Sequence, residues 1–181
     1  MKAAQAKGDG NVEKEALSYL EDAIRFLEPA PPRLIVLGGV SGTGKSTLGR
    51  ALAPMIGAAP GAVMLRSDVL RKSLWNVSDK MALPDAAYTA DVTREVYDVL
   101  RSRAEGILAQ GHSVIADAVY GTSEERKGIA DMARRMGVSF QPIWLDAPLE
   151  ILERRVAARR NDASDATVAI LHRQLADVTP P

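Results

Sequence analysis

Residues 34–47 read Leu34-Ile35-Val36-Leu37-Gly38-Gly39-Val40-Ser41-Gly42-Thr43-Gly44-Lys45-Ser46-Thr47. The first four form an uninterrupted run of strand-forming apolar residues, the pattern of a parallel strand buried on both faces. Gly39 to Ser46 then fits G-x-x-x-x-G-K-[ST] without a mismatch. Glycines so spaced let consecutive main-chain N–H groups turn inward and cradle phosphate oxygens. A helix predicted from about Lys45 to Ile56 aims its positive end at the same anion. Lys45 is placed to reach the β- and γ-phosphates, and the Ser46 hydroxyl to ligate Mg²⁺. Thr47 adds a hydroxyl near the α-phosphate. The whole stretch from Gly39 to Thr47 (Val40, Ser41, Gly42, Thr43 and Gly44 included) is therefore expected to bind a nucleotide such as ATP.

Working outward, the pattern alternates between strands and helices. A second strand is predicted over Ala62 to Leu65, leading into Ser67-Asp68 and a short helix. Residues 76–86 carry the breakers Asn76, Ser78, Pro84 and Asp85 and read as loop. A long helix is predicted from about Ala87 to Ala109, closed by Gly111, with Val92, Val96, Val99 and Leu100 on its apolar face. His112 to Ala116 reads as a third strand ending at Asp117. The next helix follows Thr122, whose spacing to Glu125 is that of a capping box. A fourth strand spans Val138 to Leu145, a helix Pro148 to Arg160, a polar break Asn161 to Ser164, and a last helix about Asp165 to Ala176. This order implies an α/β fold, a parallel sheet with right-handed crossovers.

Upstream, residues 1–11 read as a flexible lead-in. Asn11 can cap a helix carrying Leu17, Leu20, Ile24 and Leu27 at helical spacing, which Pro29, Pro31 and Pro32 end. Its apolar stripe needs a partner, on this chain or on something upstream. The expected organisation is a lead-in, extra N-terminal helix and linker over 1–32 and a nucleotide-binding domain over 33–181.

Composition narrows the partners. The 23 basic and 23 acidic residues cancel, so no general field draws the chain to nucleic acid or membrane. Without cysteine, disulfides, thiolate catalysis and Cys-based zinc sites are excluded. No run approaches the roughly 20 apolar residues of a membrane span. The first residues lack the apolar core of a signal peptide, so a cytoplasmic location is the default. There is no Asn-Lys-x-Asp guanine-reading motif and no Leu-Ser-Gly-Gly-Gln stretch. The third strand, Val114-Ile115-Ala116-Asp117-Ala118, lacks the Asp-Glu pair of mechanical ATPases.

Together with the phosphate loop, the Arg66-Ser67-Asp68 turn, the Val114 to Ala118 strand, Leu145-Asp146-Ala147-Pro148 and Glu153 to Arg159 occur in a telling order. From about Arg33 to Pro180 the chain resembles P-loop kinases of the gluconate-kinase, shikimate-kinase and adenylate-kinase type. It looks most like the AAA-like P-loop kinase domain found fused behind aminoglycoside-phosphotransferase-like domains. The resemblance implies the three-layer α/β/α P-loop NTPase fold, an acceptor-binding region over about 68–111 and a lid over about 155–166. It implies ATP and Mg²⁺ as cofactors, a small hydroxyl-bearing acceptor and an upstream fused domain as partner.

Asp68 follows the second strand, on the rim beside the phosphate loop. A carboxylate there can take the acceptor's proton, the role of the matching position in gluconate-kinase-like enzymes. It also suits a helix N-cap. Asp117 ends the third strand, where related kinases orient the water shell of Mg²⁺. Sequence leaves open which of the two is the base, and Asp68 is the choice. In the adenylate-kinase pattern, Arg155 and Arg159 sit on one helix face, one over adenine and one on the phosphates; the competing reading is a solvated basic face with Arg154 and Arg160. Arg71, Lys72 and Arg126 are weaker candidates for anion contacts, and Tyr88, Asp91 and Arg94 for the acceptor pocket. His112, His172, Trp75 and Trp144 read as structural.

The chain departs from the family pattern in two places. The resemblance implies a fifth strand after the last helix; the sequence stops at Val178-Thr179-Pro180-Pro181, so that strand is either absent or not included, and an incomplete adenine pocket is the expectation. Residues 76–91 match no substrate motif. The leading expectation is transfer of the γ-phosphate of ATP to a small-molecule hydroxyl. Its rivals are a polynucleotide 5′-hydroxyl kinase, which needs a basic groove, and a nucleotide-binding regulatory module without turnover.

Overall fold

The apolar runs become short parallel strands: β1 (Arg33–Gly38), β2 (Val63–Arg66), β3 (Val114–Asp117) and β4 (Ser139–Trp144), ordered β2-β3-β1-β4 in one sheet. The structure, a computed structural model, describes residues 10–27, 30–159 and 162–181. The helices are α1 (Gly10–Leu27), α2 (Lys45–Leu52), α3 (Ser67–Leu74), α4 (Ala90–Ala109), α5 (Ser123–Met136), α6 (Leu149–Ala157) and α7 (Val168–Asp177).

Alternation along β1 divides the core. Leu34 and Val36 join Val114 and Ala116 against the α3–α4–α5 side. Ile35, Leu37 and Ile115 face the other way, onto Leu48 and Leu52 of α2. Helices on both faces of a parallel sheet make three layers, as expected. Each fully buried Leu or Ile here contributes roughly 1.5–3 kcal/mol of apolar transfer free energy. In α4, Val96, Leu100, Ala104 and Leu108 recur every fourth residue and are fully or almost fully buried, which docks that helix on the sheet.

Several boundaries moved for identifiable reasons. The α2 helix stops at Leu52, not Ile56, and tightens into a 3-10 turn over Ala53–Met55, because Pro54 cannot donate into an α-helical ladder. The long helix starts at Ala90 after a separate 3-10 turn at Asp85–Tyr88, since the Thr89 hydroxyl caps it by accepting from the Val92 N–H. The third strand begins at Val114, after the left-handed Gly111. The α6 helix ends at Ala157 rather than Arg160, and α7 begins at Val168, capped by Thr167. Residues 162–167 are therefore a non-helical arm, not the start of a helix. Asn11 lies inside α1, which begins at Gly10, so it is not the cap. The proposed stop at Pro29 and the lid positions 160 and 161 lie outside the described residues.

The apolar stripe of α1 stays exposed at Leu17, Leu20, Ile24 and Leu27. Among the described residues no helix is long and apolar enough to cross a membrane. The β4 strand pairs on one side with β1 and, among the described residues, has no neighbour on the other. The Leu145 N–H bonds back to Gly38 O, so by strand alternation Pro142 turns its missing donor to that open side.

Candidate active site

The phosphate loop is shaped by glycines that a side chain would break. Gly39 holds φ +131°, and a Cβ there would stand 2.3 Å from the Leu145 carbonyl oxygen. Gly42 holds φ +90°, with Leu152 O at 2.9 Å from the same virtual atom. The loop is thus wedged between the end of β4 and α6. Beyond Gly44 the space is open, and Thr47 and Leu48 N–H groups bond Gly44 O to start α2.

The loop satisfies its own polar groups. Lys45 Nζ donates to Gly39 O at 2.6 Å and Val40 O at 2.9 Å. Thr43 Oγ1 donates to Val40 O at 2.9 Å, and the Ser41 N–H donates to Gln174 Oε1 at 2.9 Å. Burial holds the Lys45 ammonium below its ordinary pKa; Asp117 and Asp68 pull the other way, while Arg159 and Arg66 add to the lowering. A cation that has lost water and sits over carbonyl dipoles gains from any phosphate oxygen offered to it.

Asp68 and Asp117 come from adjacent strand ends, β2 and β3, as parallel topology dictates. Asp117 is buried, and its Oδ2 accepts from Ser46 Oγ at 2.5 Å and lies 3.5 Å from Arg66 Nε. Ser46 and Asp117 thus form a hydroxyl–carboxylate pair of hard oxygens at the start of α2, a donor set that fits Mg²⁺ retaining its own waters. Asp68, in the first turn of α3, is half-buried. Loss of water raises its pKa, and Asp117 adds to this; the Ser164 hydroxyl, Lys45 and Arg66 pull it back.

One cavity of about 1220 Å³ is lined by Ser41 to Thr47, Asp68, Asp117, Arg155 and Arg159, so the structure brings these predicted residues together. Arg155 Nη1 donates to Gly42 O at 3.2 Å. Arg159 lies beyond the end of α6, so the two arginines do not share one helix face; its charge still acts on Lys45 and Asp162. Arg71 is buried in the same cavity, donates to Ala87 O at 2.6 Å and lies over the Tyr88 ring. Other candidates fall elsewhere. Arg126 donates to Tyr120 O, Arg94 pairs with Asp91 in solvent, and His172 pairs with Glu153. Trp75 is partly exposed rather than packed, whereas Trp144 packs on the core.

Sequence reasoning missed the two carboxylates that anchor the arm at 162–167. Asp162 Oδ1 accepts from Arg66 Nη2 at 2.9 Å. Asp165 Oδ1 accepts from the fully buried Lys72 ammonium at 2.9 Å, and Oδ2 from Tyr88 OH at 2.7 Å and the Leu83 N–H at 3.0 Å. Lys72, expected at most to touch an anion, is instead this tie. Burial alone would raise the pKa of Asp165; Lys72, Tyr88 and Leu83 outweigh it and hold the carboxyl below its ordinary value. The sequence marks this stretch by the polar break at Asn161 to Ser164, and the resemblance by a lid over about 155–166, but neither names Asp162 or Asp165.

A protein-family model described as "AAA domain" matches residues 34–181. An uncharacterised protein of Mycobacterium tuberculosis is 28% identical over 169 residues, covering 91% of this chain and 33% of that protein. The chain thus spans about a third of that relative's length. Among solved structures, a gluconokinase from Sinorhizobium meliloti 1021 superposes with a TM-score of 0.57 at 23% identity, over 84% of this chain and 78% of that one. A sugar kinase from Janibacter sp. HTCC2649 gives a TM-score of 0.59 at 21% identity, over 83% and 80%.

Proposed function

Because the chain belongs to the AAA domain family matched over residues 34–181 and has a P-loop kinase fold, we propose that it transfers the γ-phosphate of ATP to a hydroxyl of a small molecule. The observation that carries this reading is the meeting, in one cavity, of the phosphate loop with a carboxylate of raised pKa at the neighbouring strand end. A mere nucleotide-binding module has no need of a half-dehydrated carboxylate beside its phosphates.

In this reading the main-chain amides of Gly39 to Thr47 hold the triphosphate, and Lys45 swings from Gly39 O and Val40 O to the β- and γ-phosphate oxygens. Ser46 and Asp117, the latter through water, hold Mg²⁺, which when bound neutralises charge shared by those phosphates. Asp68 accepts the acceptor's proton as oxygen bonds to phosphorus. Arg155 and Arg159 supply cationic donors for charge developing on the transferred group. A small acceptor is favoured over a polynucleotide end because the cavity lining sets the carboxylates Asp68, Asp85, Glu125 and Asp165 among its cations and so is not a basic groove. Such a lining gives a phosphodiester backbone little to bind.

The test is ADP release measured over an acceptor library, with MgATP binding followed by calorimetry. Release should depend on an acceptor, and Asp68→Asn should reduce it by about 10²–10⁴ while leaving MgATP binding intact. Release that no acceptor changes, and that this substitution leaves alone, would sink the proposal.

A further inference from the structure

The rim that carries Asp117 also carries a cation to which the proposed mechanism gives no part. Arg66 and Asp117 are register partners at the ends of β2 and β3, so their side chains leave the sheet on the same face. Arg66 lines the cavity, and its guanidinium is divided between two acids. Nη2 donates to Asp162 Oδ1 at 2.9 Å, an oxygen that also accepts from the Ser164 N–H at 2.9 Å. The arm thus fixes one tip of the fork. Nε stands 3.5 Å from Asp117 Oδ2, buried and, among the described residues, without a hydrogen-bond partner. That oxygen is already taken by the Ser46 hydroxyl at 2.5 Å. Arginine forks favour two parallel bonds to one carboxylate. This one instead brings its charge to Asp117 and leaves a buried N–H unpaired, which stability alone does not favour.

We propose that Arg66 is a positioning residue that serves as the resident counter-ion of Asp117, so that the site takes a divalent cation only together with a triphosphate. This rests on the kinase reading above, in which Ser46 and Asp117 hold Mg²⁺, and adds to it the order in which metal and nucleotide enter. A bare divalent ion at Asp117 meets a guanidinium already beside that carboxylate, with Lys45 close enough to feel both. Like charges so near one another in a partly dehydrated site repel strongly. A triphosphate brings the negative charge that offsets them, so metal and nucleotide enter as one unit. Asp162 has the complementary part: by holding Nη2 it keeps the guanidinium at this rim.

The experiment titrates Mn²⁺ alone into the full chain, following the paramagnetic resonance of the free ion, and repeats the titration with the unreactive analogue AMPPNP present. Parent, Arg66→Met and Arg66→Lys are compared, with thermal melts for folding. Arg66→Gln, which retains an N–H donor for Asp162, replaces the methionine variant if that one does not fold. Arg66→Met should tighten the binding of Mn²⁺ alone at least about tenfold, the direction set by loss of a neighbouring positive charge. Arg66→Lys, which keeps the charge without the fork, should stay within about threefold of the parent. In the parent, AMPPNP should raise Mn²⁺ affinity at least about tenfold, and in Arg66→Met that gain should shrink. An arginine that only braced the arm would change the melt and leave Mn²⁺ affinity as it was. Unchanged Mn²⁺ affinity in a folded Arg66→Met, or an equal rise in Arg66→Lys, would overturn the inference and leave the kinase reading standing. So would a parent that takes Mn²⁺ as tightly without AMPPNP as with it. A parent that binds neither Mn²⁺ nor its AMPPNP complex would overturn both.

Discussion

Asp68 carries a consequence that pH can expose. Dehydration, seconded by Asp117, keeps its proton bound to a higher pH than the ordinary 3.8, against the pull of Ser164, Lys45 and Arg66. A base works only when deprotonated, so turnover should fall as pH drops through that raised value. We expect the acid limb of the kcat/KM profile to lie above the ordinary aspartate range; a limb at or below 3.8 would contradict the assignment. Asp68 and Asp117 were legible in the sequence because parallel topology sends the ends of neighbouring strands to one rim, and both follow apolar runs. Asp162 and Asp165 were not. Their partners Arg66, Lys72 and Tyr88 lie far away in the chain, and no local pattern marks them.

Elements were legible where local chemistry decides them. Thr122 and Glu125 form the reciprocal cap expected of them: Glu125 N–H donates to Thr122 Oγ1 at 3.2 Å, and Thr122 N–H to Glu125 Oε2 at 3.0 Å. Thr122→Ala should therefore lower stability by about 1 kcal/mol, read as a shift in denaturation midpoint with unchanged slope. Buried strands were equally plain, since continuous Val, Ile and Leu runs have no other use in so short a span. Helix ends were less so. Pro54 and Thr89 were visible as residues, yet apolar periodicity ran through both and hid the changes of geometry they cause. The end of α6 and the start of α7 were missed because the arm between them owes its path to Arg66, Lys72 and Tyr88, not to its own sequence.

At the scale of the whole molecule, the Asp165 tie joins the acceptor-side loop to the arm. Removing it by Asp165→Ala strands the buried Lys72 ammonium and should cost roughly 3–5 kcal/mol at neutral pH, measured by urea unfolding. Acid should reproduce part of that loss. Asp165 and Asp162 hold pKa values below the ordinary 3.8, so their contribution is complete above it and is lost as pH falls below it through the folded values. Pro142 acts at the same scale, in encounters between molecules. A sheet margin recruits a stranger by offering an unbroken row of donors and acceptors, and here one rung of that row is missing. Two copies meeting side by side in a crowded solution would find a ladder that fails midway along the flank of β4 left unpaired among the described residues, so Pro142 deters fibre-like stacking there without any charge on that strand.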